Sequence, residues 1–209
     1  MRGIFDIDSP FIQFLAHIAD LIILNIVFLI CCIPVVTIGP SITALNYVTL
    51  KLAAKEDINV IRSFFKSFRQ NFRQALIIWI LLLGFGGLLF YDLYTLWGAS
   101  GLVNRVVQIF SVIAAIGYTM ILIYVFPVLA RFENSTIGTL RSAMVLSTTN
   151  FPNTFSMFML IASCGFLTFY TFETIRWGIF AWLVIGFALI AYFNSILFVK
   201  VFAKYIDKE

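Results

Sequence analysis

Three polar residues in the first apolar stretch have the types and the spacing to bind a polar ligand or to carry a proton. Gln13, His17 and Asp20 are four and three residues apart, so a helix would place them on one ridge. Ionisable groups inside a bilayer are costly and usually face the bundle interior or a wet cavity. A His-Asp pair there could relay a proton, which makes the ridge the best candidate for a functional site. The alternative is that both side chains lie near the outer interface and hydrogen-bond to neighbouring helices.

A second group of residues forms a basic and aromatic segment, in which both kinds of side chain recur at helical spacing. The cations are Arg62, Lys66, Arg69 and Arg73, and the apolar residues are Ile61, Phe64, Phe65, Phe68 and Phe72. All of these except Ile61 and Phe64 are assigned to a candidate lipid-binding or partner-binding surface. The pattern predicts an interfacial helix whose rings enter the acyl boundary while its cations meet anionic head groups. A helix packed on its own bundle with solvated charges would have the same periodicity.

The sequence contains none of the common catalytic motifs. G-x-S-x-G, H-E-x-x-H and the phosphate-binding G-x-x-x-x-G-K-[ST] are absent, and no Cys or His set has metal-ligand spacing. Cys31, Cys32 and Cys164 lie in apolar stretches, and an adjacent pair cannot easily bridge itself. We therefore expect a protein that is not an enzyme and that holds no metal and no cofactor.

The composition indicates a multi-span membrane protein. Hydrophobic residues make up 62% and charged residues 11% of the 209 residues, which leaves too little polar surface for a soluble globule. A helix needs about 20 residues to cross a hydrocarbon core of about 30 Å. Five stretches are long enough, at residues 11–33, 75–96, 106–129, 154–172 and 177–199. The prediction is an all-α, polytopic membrane helix bundle that forms a single domain over residues 1–209.

The distribution of Lys and Arg predicts the orientation. Eleven of them follow the first span, follow the third span or lie at the C-terminus, whereas Arg2, Arg105 and Arg176 fall on the other side. Because cytoplasmic loops carry the excess of Lys and Arg, we expect a plasma-membrane protein with its N-terminus outside and its C-terminus in the cytoplasm. The same rule explains the net charge of +4, so no nucleic-acid partner is expected. Residues 1–10 are expected to be an ordered lead-in and not a cleaved signal peptide.

Between the first two spans, the sequence predicts a cytoplasmic amphipathic helical connector. Pro34, Gly39 and Pro40 mark a turn, and Ser41 is placed to cap the N-terminus of the helix that follows. The apolar residues of this helix should lie against the membrane or the bundle; they are Ile42, Leu45, Val48 and Leu52. A shorter connector follows the third span, and Asn-Phe pairs at 71–72 and 150–151 indicate a parallel internal duplication.

Three segments together carry a resemblance to a known family. They are Leu24-Asn25, PVVTIGPS at residues 34–41 and FFKSFRQNF at residues 64–72. With them the chain resembles, over essentially its whole length, the YesL-like family of bacterial integral membrane proteins, whose function is unknown. Genes of this family often lie beside those of carbohydrate-uptake ABC transporters and glycoside hydrolases. The resemblance therefore implies an accessory role in sugar acquisition and supplies no catalytic residues.

Three functional hypotheses follow from these observations. The first is a non-enzymatic accessory or subunit of a carbohydrate ABC-type uptake system, with the connector as its docking or lipid-sensing surface. The second is a stand-alone small transporter or channel that uses the ridge of Gln13, His17 and Asp20. The third is a membrane enzyme on a lipid-linked substrate, whose phosphate the cations of residues 62–73 would hold. The expected partners are anionic lipid head groups and a sugar transporter.

Overall fold

The computed structural model describes residues 10–98 and 101–206, and throughout these residues the regular structure is helical. The predicted lead-in at residues 1–10 lies outside the described part except for Pro10. The helices are α1 (Pro10–Cys32), α2 (Ile38–Ala53), α3 (Val60–Leu96), α4 (Leu102–Arg131), α5 (Thr136–Thr149), α6 (Phe151–Phe169), α7 (Phe172–Ala181) and α8 (Phe187–Ile206). A 3₁₀ turn at Val35–Thr37 precedes α2, and a π-helical turn at Trp182–Gly186 joins α7 to α8.

Five helical segments in the described part of the chain are long and apolar enough to cross a membrane. They are Phe11–Cys32, Val60–Leu96, Leu102–Arg131, Phe151–Phe169 and Phe172–Tyr205. The predicted all-α architecture with five such helices is therefore confirmed. The boundaries differ most in the second, which begins at Val60 instead of residue 75, and the turn between the last two lies near Tyr170 instead of residues 173–176.

Helix α2, the first part of the predicted connector, lies inside the bundle. Eleven of its 16 residues are buried. Leu50 belongs to a core cluster shared with α3, α4 and α8, while Val48 and Leu52 belong to a second cluster shared with α1 and α3. The buried hydroxyls of this helix bond back to its own carbonyls, as Thr43 Oγ1 does to Gly39 O at 3.0 Å. Because its polar groups are satisfied within the helix, α2 can be enclosed by apolar neighbours on most sides.

Helix α3 differs from the prediction of an interfacial helix followed by a separate span. It runs without interruption for 37 residues, from Val60 to Leu96, which is about 55 Å at 1.5 Å per residue. Asn59 caps its start, because the side-chain oxygen accepts from the N–H of Arg62 at 3.0 Å. Residues 60–83 contain no Gly or Pro that would end or bend a helix. The basic segment is thus the first third of the second long helix.

The turn before α2 is held by a hydroxyl other than the predicted one. Thr37 Oγ1 donates to Cys31 O at 2.7 Å and to Pro34 O at 2.8 Å. Ser41 lies within α2 and donates to Thr37 O at 2.8 Å, so the prediction that it caps the helix N-terminus is wrong. The helix begins four residues earlier than a Ser41 cap implies, because Pro40 fits its first turn, where a backbone N–H has no intrahelical acceptor.

Candidate functional site

The predicted ridge on α1 lines an open cavity of about 760 Å³. Gln13, His17 and Asp20 all contribute to its wall, as their four- and three-residue spacing predicts. A second part of the wall is the loop between α2 and α3, with Lys55, Glu56, Asp57 and Ile58, and α8 contributes Tyr192. The structure thus brings the three predicted residues together and adds a set of charged loop residues that sequence spacing alone does not reveal.

The histidine of this cavity has an unused ring nitrogen. His17 packs edge-on against the Tyr192 ring, with ring centroids 4.8 Å apart. Its Nε2 atom is buried and has no hydrogen-bond partner within the described residues. A buried polar atom without a partner is uncommon and costs free energy.

A salt bridge between Lys51 and Glu56 holds the α2–α3 loop, which forms part of the cavity wall. Lys51 Nζ lies 2.9 Å from a carboxylate oxygen of Glu56. This hydrogen bond, together with the Tyr47 ring below the ammonium, raises the pKa of Lys51 above its usual value. Lys55 has a left-handed backbone conformation with φ of 60°, which is uncommon for a residue other than glycine. Asp20 and Asp57 are the other two carboxylates of the cavity. Neither forms an ion pair with the described side chains.

The shared cavity bears on the predicted orientation. Side chains that line one cavity of about 760 Å³ lie at the same end of the bundle, because a hydrocarbon core is about 30 Å thick. The sequence places Gln13 outside and the Lys55–Asp57 loop in the cytoplasm. In the structure these residues line one cavity, because the chain returns along α2 to the end at which α1 begins.

The predicted lipid-binding or partner-binding surface is an exposed face of α3, here called the basic face. Its cations Arg62, Lys66, Arg69 and Arg73 are all exposed, and none forms an ion pair with the residues that the structure describes. Phe65 and Phe72 are exposed beside them, at 41% and 36%, and Phe68 is half-buried. Phe64 instead is fully buried against α2, so only part of the predicted aromatic stripe faces outwards.

Lys66 also borders a polar cavity of about 560 Å³ between α3 and the segment that joins α4 to α5. Arg131 and Glu133 contribute charges to it, and Gln74 holds the segment in place by donating to Asn134 O at 2.8 Å. The basic face is therefore continuous with the α4–α5 segment, and docking there would involve both.

The predicted turn residues hold α2 against α3 at close range. A Cβ on Gly39 would lie 2.5 Å from Trp79 Cβ and 2.8 Å from Ala75 O, so only glycine fits. Trp79 Nε1 donates to Val35 O at 2.9 Å, which fixes the 3₁₀ turn to α3. Of the predicted turn residues Pro34, Gly39, Pro40 and Ser41, Gly39 thus has a structural role, because it allows the close contact between α2 and α3.

Two polar contacts between helices stand out from the apolar spans. Asn25 is completely buried and bonds to the π-helical turn of residues 182–186 and to Ala188 of α8. Asp92, near the end of α3, accepts a hydrogen bond from Ser111 of α4. Sequence reasoning missed Asp92, although a carboxylate within an apolar stretch is itself a signal of a polar contact.

The fold defines a multi-pass helical membrane protein. Residues 21–93 match the family model described as "Protein of unknown function, DUF624". No curated protein and no solved structure matches the chain. The matched residues include the turn at Pro34–Ser41, all of α2 and the basic face, whereas Gln13, His17 and Asp20 precede them. The similarity therefore concerns the α1–α2–α3 unit and assigns no activity to it.

Proposed function

We propose that this protein is a non-enzymatic accessory subunit of a membrane transport complex, and that the basic face of α3 is its docking surface. The observation that carries the proposal is the row of four exposed cations that lack carboxylate partners in the described part of the chain. Exposed charges of one sign attract a surface of the opposite sign and steer its approach. The neighbouring Phe65 and Phe72 rings offer apolar contact to the same surface.

The nature of the complex follows from the family resemblance. The YesL-like proteins that the chain resembles are often encoded beside carbohydrate-uptake ABC transporters, so a sugar permease or its ATPase is the expected partner. Anionic lipid head groups are the second expected partner of the same face, since each cation near such a surface contributes about 1 kcal/mol. The exposed rings beside the cations suit either contact.

We also infer an orientation in which both walls of the α1 cavity face the cytoplasm. The loop after α2 and the basic face carry most of the cations that follow the first span, so this end of the bundle belongs in the cytoplasm. Helices α1 and α2 then form a re-entrant pair, while α3, α4, α6 and the continuous α7–α8 cross the membrane. An even number of crossings places Lys200 and Lys204 on the same side, which agrees with the charge rule.

The docking proposal is tested by a mild-detergent pull-down of the tagged full-length chain from native membranes. We expect a sugar permease or its ATPase to remain bound, and we expect deletion of the gene to lower sugar uptake. Recovery of the protein alone, together with unchanged uptake after deletion, would refute the accessory role.

A second candidate function is a stand-alone small transporter or channel, and the cavity beside Gln13, His17 and Asp20 favours it. The cavity is open and has charged and polar side chains in its walls, which are features of a ligand pathway. Asp20→Asn should then abolish flux in reconstituted vesicles while the protein keeps its fold. Equal flux through the wild type and this variant would exclude a pathway along the ridge.

A further inference from the structure

We propose that the cavity between α1 and the α2–α3 loop binds an organic cation through a primary ammonium group. The proposal uses the same cavity as the second candidate function, but it concerns binding and does not require transport. It goes beyond the ridge of three residues because the α2–α3 loop supplies half of the site.

The charge of the walls favours a cation. Three carboxylates line the cavity, at Asp20, Glu56 and Asp57, against the single ammonium of Lys55. Lys51, which stands behind the loop, neutralises Glu56 through their 2.9 Å contact. Asp20 on α1 and Asp57 on the loop line the same cavity without such a partner in the described part of the chain. An ammonium between them would receive charge-assisted hydrogen bonds from two directions.

The uncharged groups of the cavity suit the same ligand. The side-chain carbonyl of Gln13 is an acceptor. The Tyr192 ring, which packs 4.8 Å from the imidazole ring between centroids, adds a face that attracts cations.

A metal ion fits the site less well than an ammonium does. The described residues contain no group of three or more His, Cys, Asp or Glu side chains placed to hold a metal. The carboxylates come from two different elements around a space of about 760 Å³, which has room for an alkyl chain as well as its charged end. Phe14, Leu52 and Ile58 supply apolar lining for such a chain.

The proposal can be tested by titration calorimetry on the full-length protein in mild detergent, with n-butylammonium as the probe. Butanol and butyrate serve as the neutral and the anionic analogues of the same length. Asp20→Asn and Asp57→Asn remove one carboxylate from each wall. Glu133→Gln removes a carboxylate outside the cavity and is the matched control.

We expect saturable binding of butylammonium and none of butyrate, about tenfold weaker binding in each cavity variant, and unchanged binding in Glu133→Gln. Absence of saturable binding, equal affinity for butanol, or an equal loss in the Glu133 variant would overturn the proposal. If Asp20→Asn does not fold, Asp57→Asn still decides the matter, because this exposed loop side chain packs against no core cluster. Binding without flux would sustain this inference and refute the transporter, so the two claims fail separately.

Discussion

The side-chain oxygen of Asn25 in α1 accepts a hydrogen bond from the backbone N–H of Ala188 in α8, at 3.0 Å. The amide nitrogen of the same side chain donates to the carbonyls of Trp182 and Leu183, at 3.1 and 2.9 Å. A π-helical turn disturbs the regular ladder of backbone hydrogen bonds. One carboxamide thus satisfies the backbone groups that the turn between α7 and α8 leaves free.

Replacing this asparagine should weaken the bundle. Asn25→Leu leaves buried backbone groups unpaired, at a cost of about 1–3 kcal/mol, so we expect a lower Tm in detergent. Asn194→Leu is a suitable control, because Asn194 is also buried but its Oδ1 lacks a partner within the described residues. The Asn194 variant should lose less stability than the Asn25 variant. Equal melting of the two would show that the Asn25 contacts do not stabilise the π-helical turn.

The close approach of α2 to α3 predicts a position-specific effect of adding one methyl group. Gly39→Ala places a Cβ 2.5 Å from Trp79 Cβ, which forces the helices apart, so we expect a clearly lower Tm. Gly84→Ala adds the same group where no atom lies within 4 Å. That variant should melt at or above the wild-type temperature, since alanine favours a helix by up to about 1 kcal/mol. Thermal unfolding in one detergent compares the two variants with the wild type. A Gly39→Ala variant that melts at the wild-type temperature would contradict the close packing of α2 against α3.

The inferred orientation can be measured by cysteine labelling. In a chain whose Cys31, Cys32 and Cys164 are replaced by Ser, single cysteines are placed at Gln13, Glu56 and Trp97. A membrane-impermeant maleimide should label the first two positions only in inside-out vesicles, and the third only from outside the cell. Labelling of Gln13 from outside, together with labelling of Glu56 from inside, would restore the orientation predicted from the sequence and exclude the re-entrant pair.

The sequence predicts the local features of this fold better than its three-dimensional arrangement. Length and hydropathy locate all five apolar helices, and Gln13, His17 and Asp20, which their spacing puts on one ridge, line one cavity. Periodicity cannot distinguish a surface helix from an enclosed one when the polar residues bond to their own backbone, as Thr43 does. The position of α2 inside the bundle therefore follows only from the structure.

The second wall of the cavity could not be predicted for a related reason. Lys55, Glu56 and Asp57 look like an ordinary solvated loop in the sequence. They meet α1 because α2 carries the chain back to the end at which α1 begins. The pairing of Asp92 with Ser111 likewise depends on how α3 and α4 align. In each case the residues are far apart in the chain, and their types alone do not predict the contact.

The most direct test of the central claim compares two triple variants in the same pull-down from native membranes. Arg62→Gln, Lys66→Gln and Arg69→Gln together remove three cations from the basic face and keep Arg73 beside the span. Arg141→Gln, Lys200→Gln and Lys204→Gln together remove three exposed cations that lie elsewhere. We predict that the first variant no longer retains the transporter subunits and that the second does. Both variants should be present in the membrane at wild-type levels. Equal retention by the two variants would contradict docking through the basic face of α3.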